Sequence, residues 1–239
     1  MRICLKLRVT SGTVPVHYNY LVQSFLYRRF PPKSGRLIHD RGVEEGPRRF
    51  KLFTFSRLYG DFARVGDQLK FKDFAYLCVS SIFRVEMKYL ARSLLQDSEV
   101  RIGRATFAVD SLKVVEFPEE SREFYTLSPI VVTKRTDRTK YLMPHHEEFG
   151  MLLELNLKRK VRAVKGRQLR SPILVRFVKW RRVLTVYKGN PVVGVMGKFS
   201  VDGPKTAIEV GYYAGLGVKN SQGFGMFEAE GRGLRDMMG

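Results

Sequence analysis

The chain has 239 residues, 44% of them hydrophobic and 12% aromatic, which is enough for one large domain or two small ones around a real core. Its 43 Lys and Arg against 23 Asp and Glu give a net charge of +20, so the expected partner is a polyanion: nucleic acid ahead of an anionic membrane. No run of 18 apolar residues occurs and no Cys/His cluster has zinc-finger spacing, so neither a membrane-spanning helix nor a zinc site is expected.

Residues 2–9 alternate apolar with basic or polar side chains, the pattern of a first strand and not of a signal peptide. Residues 17–30 read as a helix, with Tyr18, Leu21, Val22, Phe25 and Leu26 on its apolar stripe. Tyr27 falls on the other side, near Tyr20 and Gln23, and Pro31-Pro32 ends the helix. The polar stretch to Phe50 is a long loop with a short helical turn at 35–40, and it contains His39. Lys51 to Ser56 alternates as a strand. A hairpin over 67–82 leads into an apolar strand, Phe74 to Ile82. A second helix over 83–95 and strand pieces at 105–109 and 111–117 complete a β-α-β-β-α-β order. Cys4 and Cys78 each sit in an apolar run and read as buried free thiols, which fits an intracellular location.

The charged segment 118–123 is the expected boundary, dividing the chain into 1–120 and 121–239. A strand over 125–134 follows, and then a helix from Pro144 to about Val164. Two long strands, 172–188 and 191–201, form a hairpin around Lys188 to Pro191. A helix over 204–214, a glycine-rich loop and a final strand over 223–230 repeat the same order; residues 231–239 are expected to fray. The fold class is therefore α+β, two tandem ferredoxin-like (RRM-like) domains. From Leu155 to Val201 there are 13 Lys or Arg and no acidic residue. Arg176, Lys179, Arg181 and Arg182 lie beside Phe177, Trp180 and Tyr187, a pattern suited to phosphate contact and base stacking.

The glycine-rich loop holds two Gly-hydrophobic-Gly units, Gly215-Leu216-Gly217 and Gly223-Phe224-Gly225, separated by five residues that include Lys219, Asn220 and Ser221. Such a loop can aim bare N–H groups at an anion, with Lys219 adding charge and Asn220 and Ser221 offering hydrogen bonds. The pattern resembles the glycine-rich loop of the Cas6 family of CRISPR repeat endoribonucleases. Gly46 to Ser56, with its Lys-Leu-Phe-Thr-Phe-Ser strand, and Leu127-Ser128-Pro129-Ile130 are similar to the same family. The resemblance covers nearly the whole chain. It implies cleavage of CRISPR repeat RNA (pre-crRNA) in the cytoplasm, as part of antiviral defence, with no cofactor and no metal. Other Cas proteins and a second copy of the chain are further partners it leaves open. It also implies a site formed by a tyrosine near the end of the first helix, a histidine in the next loop and a lysine opening the next strand. Those positions fall on Tyr27, His39 and Lys51; His17, His145 and His146 are the other histidines to weigh. The chemistry is sound on its own terms. A 2′-OH attacking its neighbouring phosphate needs a base, an acid and a cation, and His39 and Lys51 have the right groups, with Tyr27 to position the ribose or relay a proton. A repeat-RNA-binding subunit without catalysis and a general basic RNA-binding protein are the competing readings. A two-metal nuclease is disfavoured, because no convincing carboxylate cluster stands out.

Overall fold

The computed structural model describes residues 1–31, 43–46, 48–230 and 234. His39, the helical turn expected at 35–40 and most of the C-terminal tail lie outside them.

Strand β1 (Arg2–Ser11) shows how alternation builds the fold. Ile3, Leu5 and Leu7 enter one buried cluster with helices α1 (Asn19–Arg29) and α2 (Arg84–Gln96). Cys4, on the opposite face, enters another with Tyr76, Leu127 and Met226. Both faces are covered, one by helices and one by the second half of the chain. Helix α1 stops where Phe30 turns extended, as the residue before a proline must.

The remaining strands of the first half are β2 (Val14–Pro15), β3 (Val43–Glu45), β4 (Arg48–Phe50), β5 (Phe53–Phe55), β6 (Phe62–Val65), β7 (Gln68–Phe71), β8 (Phe74–Ser81), β9 (Glu99–Ile102) and β10 (Ala105–Val115). The first sheet has the order β5-β8-β1-β10-β9, a ferredoxin-like sheet with β9 added at its edge. The expected interruption at Asp110 is a bulge within one strand: Lys6 pairs with Ser111 and Leu7 with Val109, which skips Asp110.

The second half supplies β11 (Glu123–Thr126), β12 (Val132–Arg135), β13 (Thr139–Leu142), α3 (Glu148–Lys165), β14 (Leu174–Tyr187), β15 (Asn190–Asp202), α4 (Lys205–Ala214) and β16 (Phe227–Ala229). Its sheet runs β14-β15-β11-β16, the ferredoxin-like order again. The β14–β15 hairpin turns at Lys188 and Gly189, both with positive φ, which suits the twist of a tight hairpin.

Several expectations are corrected. The strand expected over 125–134 is two strands separated by Leu127 to Val131, and β12 forms a hairpin with β13 that the periodicity did not reveal. Helix α3 begins at Glu148, not Pro144, because the Met143–His146 turn is closed by its own bonds: His146 Nδ1 accepts the Met143 N–H at 2.8 Å. The final strand is short, with a single 3₁₀ turn (Asn220–Gln222) before it. Cys4 and Cys78 are not free thiols. They stand directly opposite each other on β1 and β8 and form a disulfide. Sequence cannot say which strands are neighbours, and the pairing removes the thiol argument for an intracellular location. Among the described residues no helix is long and apolar enough to cross a membrane.

The two halves are joined by a fully buried ion pair. Arg2 Nη1 donates to Glu228 at 2.7 Å and to the Phe227 carbonyl at 2.9 Å, and Nη2 donates to the Tyr212 carbonyl at 2.6 Å. The guanidinium also lies 3.5 Å over the Tyr212 ring, whose hydroxyl donates to Glu228 at 2.7 Å. Removing one partner of such a pair leaves a buried charge uncompensated. Glu228→Gln should therefore destabilise the protein by about 3–5 kcal/mol in denaturant unfolding, and Arg2→Met combined with it should recover part of that loss.

Candidate active site at the domain junction

Helix α1 presents a second, polar stripe at Asn19, Gln23 and Tyr27, spaced i, i+4, i+8. It faces the second domain. Asn19 Nδ2 donates to the Gln222 carbonyl at 2.8 Å, and Gln23 Nε2 donates to the Ser221 carbonyl at 2.6 Å. Gln23 Oε1 accepts from the Tyr187 hydroxyl of β14. The sequence placed Tyr27 and Gln23 away from the main apolar contact, and that other face is the one that meets the glycine loop.

Tyr27 also packs edge-on against Phe53, with ring centroids 5.6 Å apart. Lys51 Nζ donates to its hydroxyl at 3.2 Å. Lys51 reaches it because the strand expected from 51 starts only at Phe53. Leu52 sits at φ 48, a left-handed position uncommon for leucine, and its carbonyl is held by Ser81 Oγ at 3.0 Å. This turn carries Lys51 off the sheet and beside a cavity of about 380 Å³ lined by Arg49, Lys51, Asn156, Lys160, Lys219 and Ser221.

The glycines of the loop serve close packing inside the protein. A Cβ on Gly217 would overlap the Val131 carbonyl, and one on Gly223 would overlap the Phe55 ring of the first domain; both residues have positive φ. Their steric reason lies within the fold, so a substitution there tests folding before it tests ligand binding. Gly215 and Gly225 are buried too, and a Cβ on either would meet Asn220. Most of the expected bare amides are occupied: Leu216 N–H donates to Gly225 and Val218 N–H to Val131, at 2.8 and 2.9 Å, while Gly225 N–H donates to Pro129 at 2.8 Å. Among the described residues, the amides of Asn220 and Ser221 at the start of the 3₁₀ turn find no backbone acceptor. The Asn220 side chain is committed internally, donating to Leu216 and Phe224 carbonyls at 2.9 and 3.0 Å. Lys219 and Ser221 remain half-buried at the cavity.

Lys160 of α3 holds this loop. Its Nζ donates to the carbonyls of Gly215 at 2.6 Å and Gly217 at 2.9 Å, and to Asn220 Oδ1 at 2.7 Å. Full burial pulls its amine down to about 7, while three acceptors favour the protonated form, the one with three hydrogens. Its place three residues after Leu157 and next to Val161, on the apolar face of α3, was the available signal that this lysine is buried. Asn156 Oδ1 is also buried and has no partner among the described residues.

The other histidines are placed elsewhere. His17 Nδ1 accepts the Val186 N–H at 3.2 Å, His146 closes the turn before α3, and His145 stacks on Trp180. The basic residues of β14 divide between two faces. Lys179 pairs with Lys198 and Arg181 with Met196, on the face turned toward Arg57, whose Nη1 lies 3.9 Å from Met196 Sδ. Arg176, paired with Ser200, shares that face because a register shift between Phe177 and Lys179 leaves Val178 as the extra residue. Arg182 pairs with Val195, which belongs to the core under the helices, so it lies on the opposite side.

Two ferredoxin-like units with a glycine-rich loop of the second docked on the first helix of the first define a tandem ferredoxin-like protein whose candidate site lies at the domain junction. The family model described as CRISPR-associated protein Cas6, N-terminal, matches residues 13–113, and that described as CRISPR associated protein Cas6, C-terminal, matches residues 112–229. CRISPR-associated endoribonuclease Cas6 1 of Methanocaldococcus jannaschii is 29% identical over 238 residues, covering 95% of this chain and 91% of its own. CRISPR-associated endoribonuclease Cas6 of Pyrococcus furiosus is 29% identical over 230 residues, covering 91% and 84%. A solved structure of a Cas6-related protein from Pyrococcus furiosus superposes with a TM-score of 0.84 at 26% identity, covering 97% of this chain and 99% of that one. The chain belongs to the Cas6 family.

The buried amine yields a pH prediction. The folded pKa of Lys160 lies below its unfolded value of about 10.5, so between the two the unfolded chain binds the extra proton and stability rises with pH. Relative to a Lys160→Met variant, the parent should gain stability as pH is raised from about 7 toward 10, with no further relative loss below that window. Denaturant unfolding of both proteins across that range checks it. Parallel curves would mean that the amine keeps its ordinary pKa.

Proposed function

We propose that this protein is a metal-independent endoribonuclease that cleaves CRISPR repeat RNA, leaving 2′,3′-cyclic phosphate and 5′-OH ends. The observation that carries the reading is the Lys51–Tyr27 contact at 3.2 Å, set beside a basic cavity closed by the glycine loop. The naming of the relatives as endoribonucleases supports it.

In this reading the nucleophile is the 2′-OH of the nucleotide 5′ to the cut. A base takes its proton as the oxygen bonds phosphorus, the bond from phosphorus to the 5′-oxygen of the next nucleotide breaks, and that oxygen departs with a proton from an acid. Lys51 faces the phosphate and stabilises the charge that develops on its oxygens. His39 exchanges protons near neutral pH. Tyr27 positions the ribose through its hydroxyl, which Lys51 already orients. Lys219 and Ser221 hold the flanking backbone from the cavity wall, and Arg176, Lys179 and Arg181 attract phosphates along β14. The division near residue 120 then has a functional sense: residues 1–120 supply the reacting groups and residues 121–239 most of the RNA affinity. The cytoplasm, where repeat transcripts are made, is the place of action.

The test is incubation of labelled repeat RNA with excess EDTA. Cleavage should persist, and a single 2′-deoxy substitution at the scissile nucleotide should abolish it. His39→Ala should lower the single-turnover rate by roughly 10²–10⁴ with little change in binding. Lys51→Ala should lower it by roughly 10²–10³. Cutting of the deoxy substrate, or complete loss in EDTA, would sink the mechanism.

A further inference from the structure

Trp180 lies on β14, an edge strand with β15 as its sheet neighbour. It pairs with Gly197, whose lack of a side chain lets the Lys179 backbone approach closely, and Trp180 and Gly197 belong to one face of the sheet. This is the face of Phe177 and Phe199, the side covered by the helices and turned away from Arg181. His145, in the turn before α3, stacks on the indole with centroids 5.7 Å apart and planes at 27°. His146 continues the pile, 4.3 Å from His145 at 34°. The base of the pile is fixed, because His146 Nδ1 accepts the Met143 N–H.

Core packing does not account for this stack. His145 is exposed, Trp180 remains 36% exposed, and neither belongs to the buried clusters. Glu147 and Glu148 follow the two histidines in the chain, and beyond them the surroundings of the stack are basic. The adjacent β12–β13 hairpin exposes Lys134, Arg135, Arg138 and Lys140 against one acid, Asp137. The hairpin meets the pile at Glu148, two residues beyond His146; the Glu148 carboxyl is bonded by Lys134 at 2.5 Å. Arg182 lies two residues beyond Trp180, on the same face.

Flat aromatic rings at a surface, flanked by cations, are suited to single-stranded nucleic acid: the rings take a base and the cations take phosphates. We propose that Trp180, stacked on His145 and His146, is a base-stacking platform for a single-stranded segment of RNA, with the β12–β13 hairpin holding its phosphates. The proposal rests on RNA being this protein's ligand. It adds a second contact region, separate from the junction. Trp180 is seven residues along β14 from Tyr187, the residue that meets Gln23, a span of roughly 23 Å.

Trp180 is the only tryptophan in the chain, so its emission reports on the platform directly. The full protein is titrated with a short oligoadenylate and, in parallel, with an abasic RNA of equal length, while anisotropy of a label on the RNA reports binding. Oligoadenylate should quench the tryptophan and abasic RNA should not. Trp180→Ala should weaken oligoadenylate binding about 5- to 150-fold, and Trp180→Phe should retain most of the affinity. His145→Ala keeps the reporter and should reduce the quench. Circular dichroism confirms that each variant is folded. The platform is overturned if RNA binds with unchanged emission, if Trp180→Ala binds like the parent, or if oligoadenylate does not bind at all. Neither probe is a repeat, so failure to cut repeat RNA while the quench persists would sink the nuclease reading and leave the platform standing.

Discussion

The arrangement of the whole molecule depends on one buried cation. Arg2, the first residue of the first strand, is fully enclosed and reaches across to the last strand of the second sheet. A guanidinium so placed needs its charge and its terminal N–H groups answered together; here Nη1 and Nη2 are bonded, while the buried Nε finds no partner among the described residues. Glu228 answers the charge; the Phe227 and Tyr212 carbonyls take hydrogen bonds, and the Tyr212 ring covers the flat face. Burial in turn pushes the Tyr212 phenol up, so the tyrosine remains a neutral donor to Glu228 at any ordinary pH. These partners are fixed on different elements and meet in one relative placement of the two domains. The pair therefore sets geometry more than it adds stability. Thr54, whose hydroxyl donates to the Phe224 carbonyl at 2.9 Å, and Arg57, whose N–H donates to Leu127 at 2.9 Å, depend on the same placement.

Lys160 solves a related problem differently. It has no carboxylate partner among the described residues, only two carbonyls and an amide oxygen. Dipoles compensate a buried ammonium less completely than a carboxylate does, and burial accordingly lowers its pKa. The two cations act in series. Arg2 fixes the domains, and Lys160 fixes the loop between them. The loop's Ser221 and Gln222 carbonyls then engage Gln23 and Asn19, on the stripe that ends at Tyr27.

The sequence was most legible where a local rule acts alone. Alternation gave β1, the proline after Phe30 ended α1, and the element order gave both ferredoxin-like units. It was less legible where distant chain segments decide. Cys4 and Cys78 are bonded only because β1 and β8 are neighbours. Strands β12 and β13 are four residues each, too short for alternation to stand out against their charged tip. The glycines of the loop have a reason that their pattern did not disclose: Gly217 and Gly223 accommodate Val131 and Phe55, residues remote in sequence. At the site, Tyr27 and Lys51 are brought together, while His39 lies outside the described residues. Lys160 was passed over because a single lysine in a basic stretch looks like one more solvated charge.

The same long-range logic divides β14. In the sequence, Arg181 and Arg182 are one basic pair within one acid-free run. In the sheet they are consecutive residues of a pleated strand, so they point to opposite faces. The single extra residue, Val178, decides which residues share which face. Without that shift, Lys179 and Arg181 would fall on the side of Phe177 and the core, and Trp180 would fall on the face turned toward Arg57. Gly197 is fitted to the same irregularity, since a Cβ there would overlap the Lys179 carbonyl. One inserted residue and one glycine thus give a single edge strand two chemically different surfaces: Arg176, Lys179 and Arg181 on the face turned toward the first domain, and an aromatic surface with Arg182 on the other. Charge composition alone could not separate them, because both surfaces are basic; the register of one strand does.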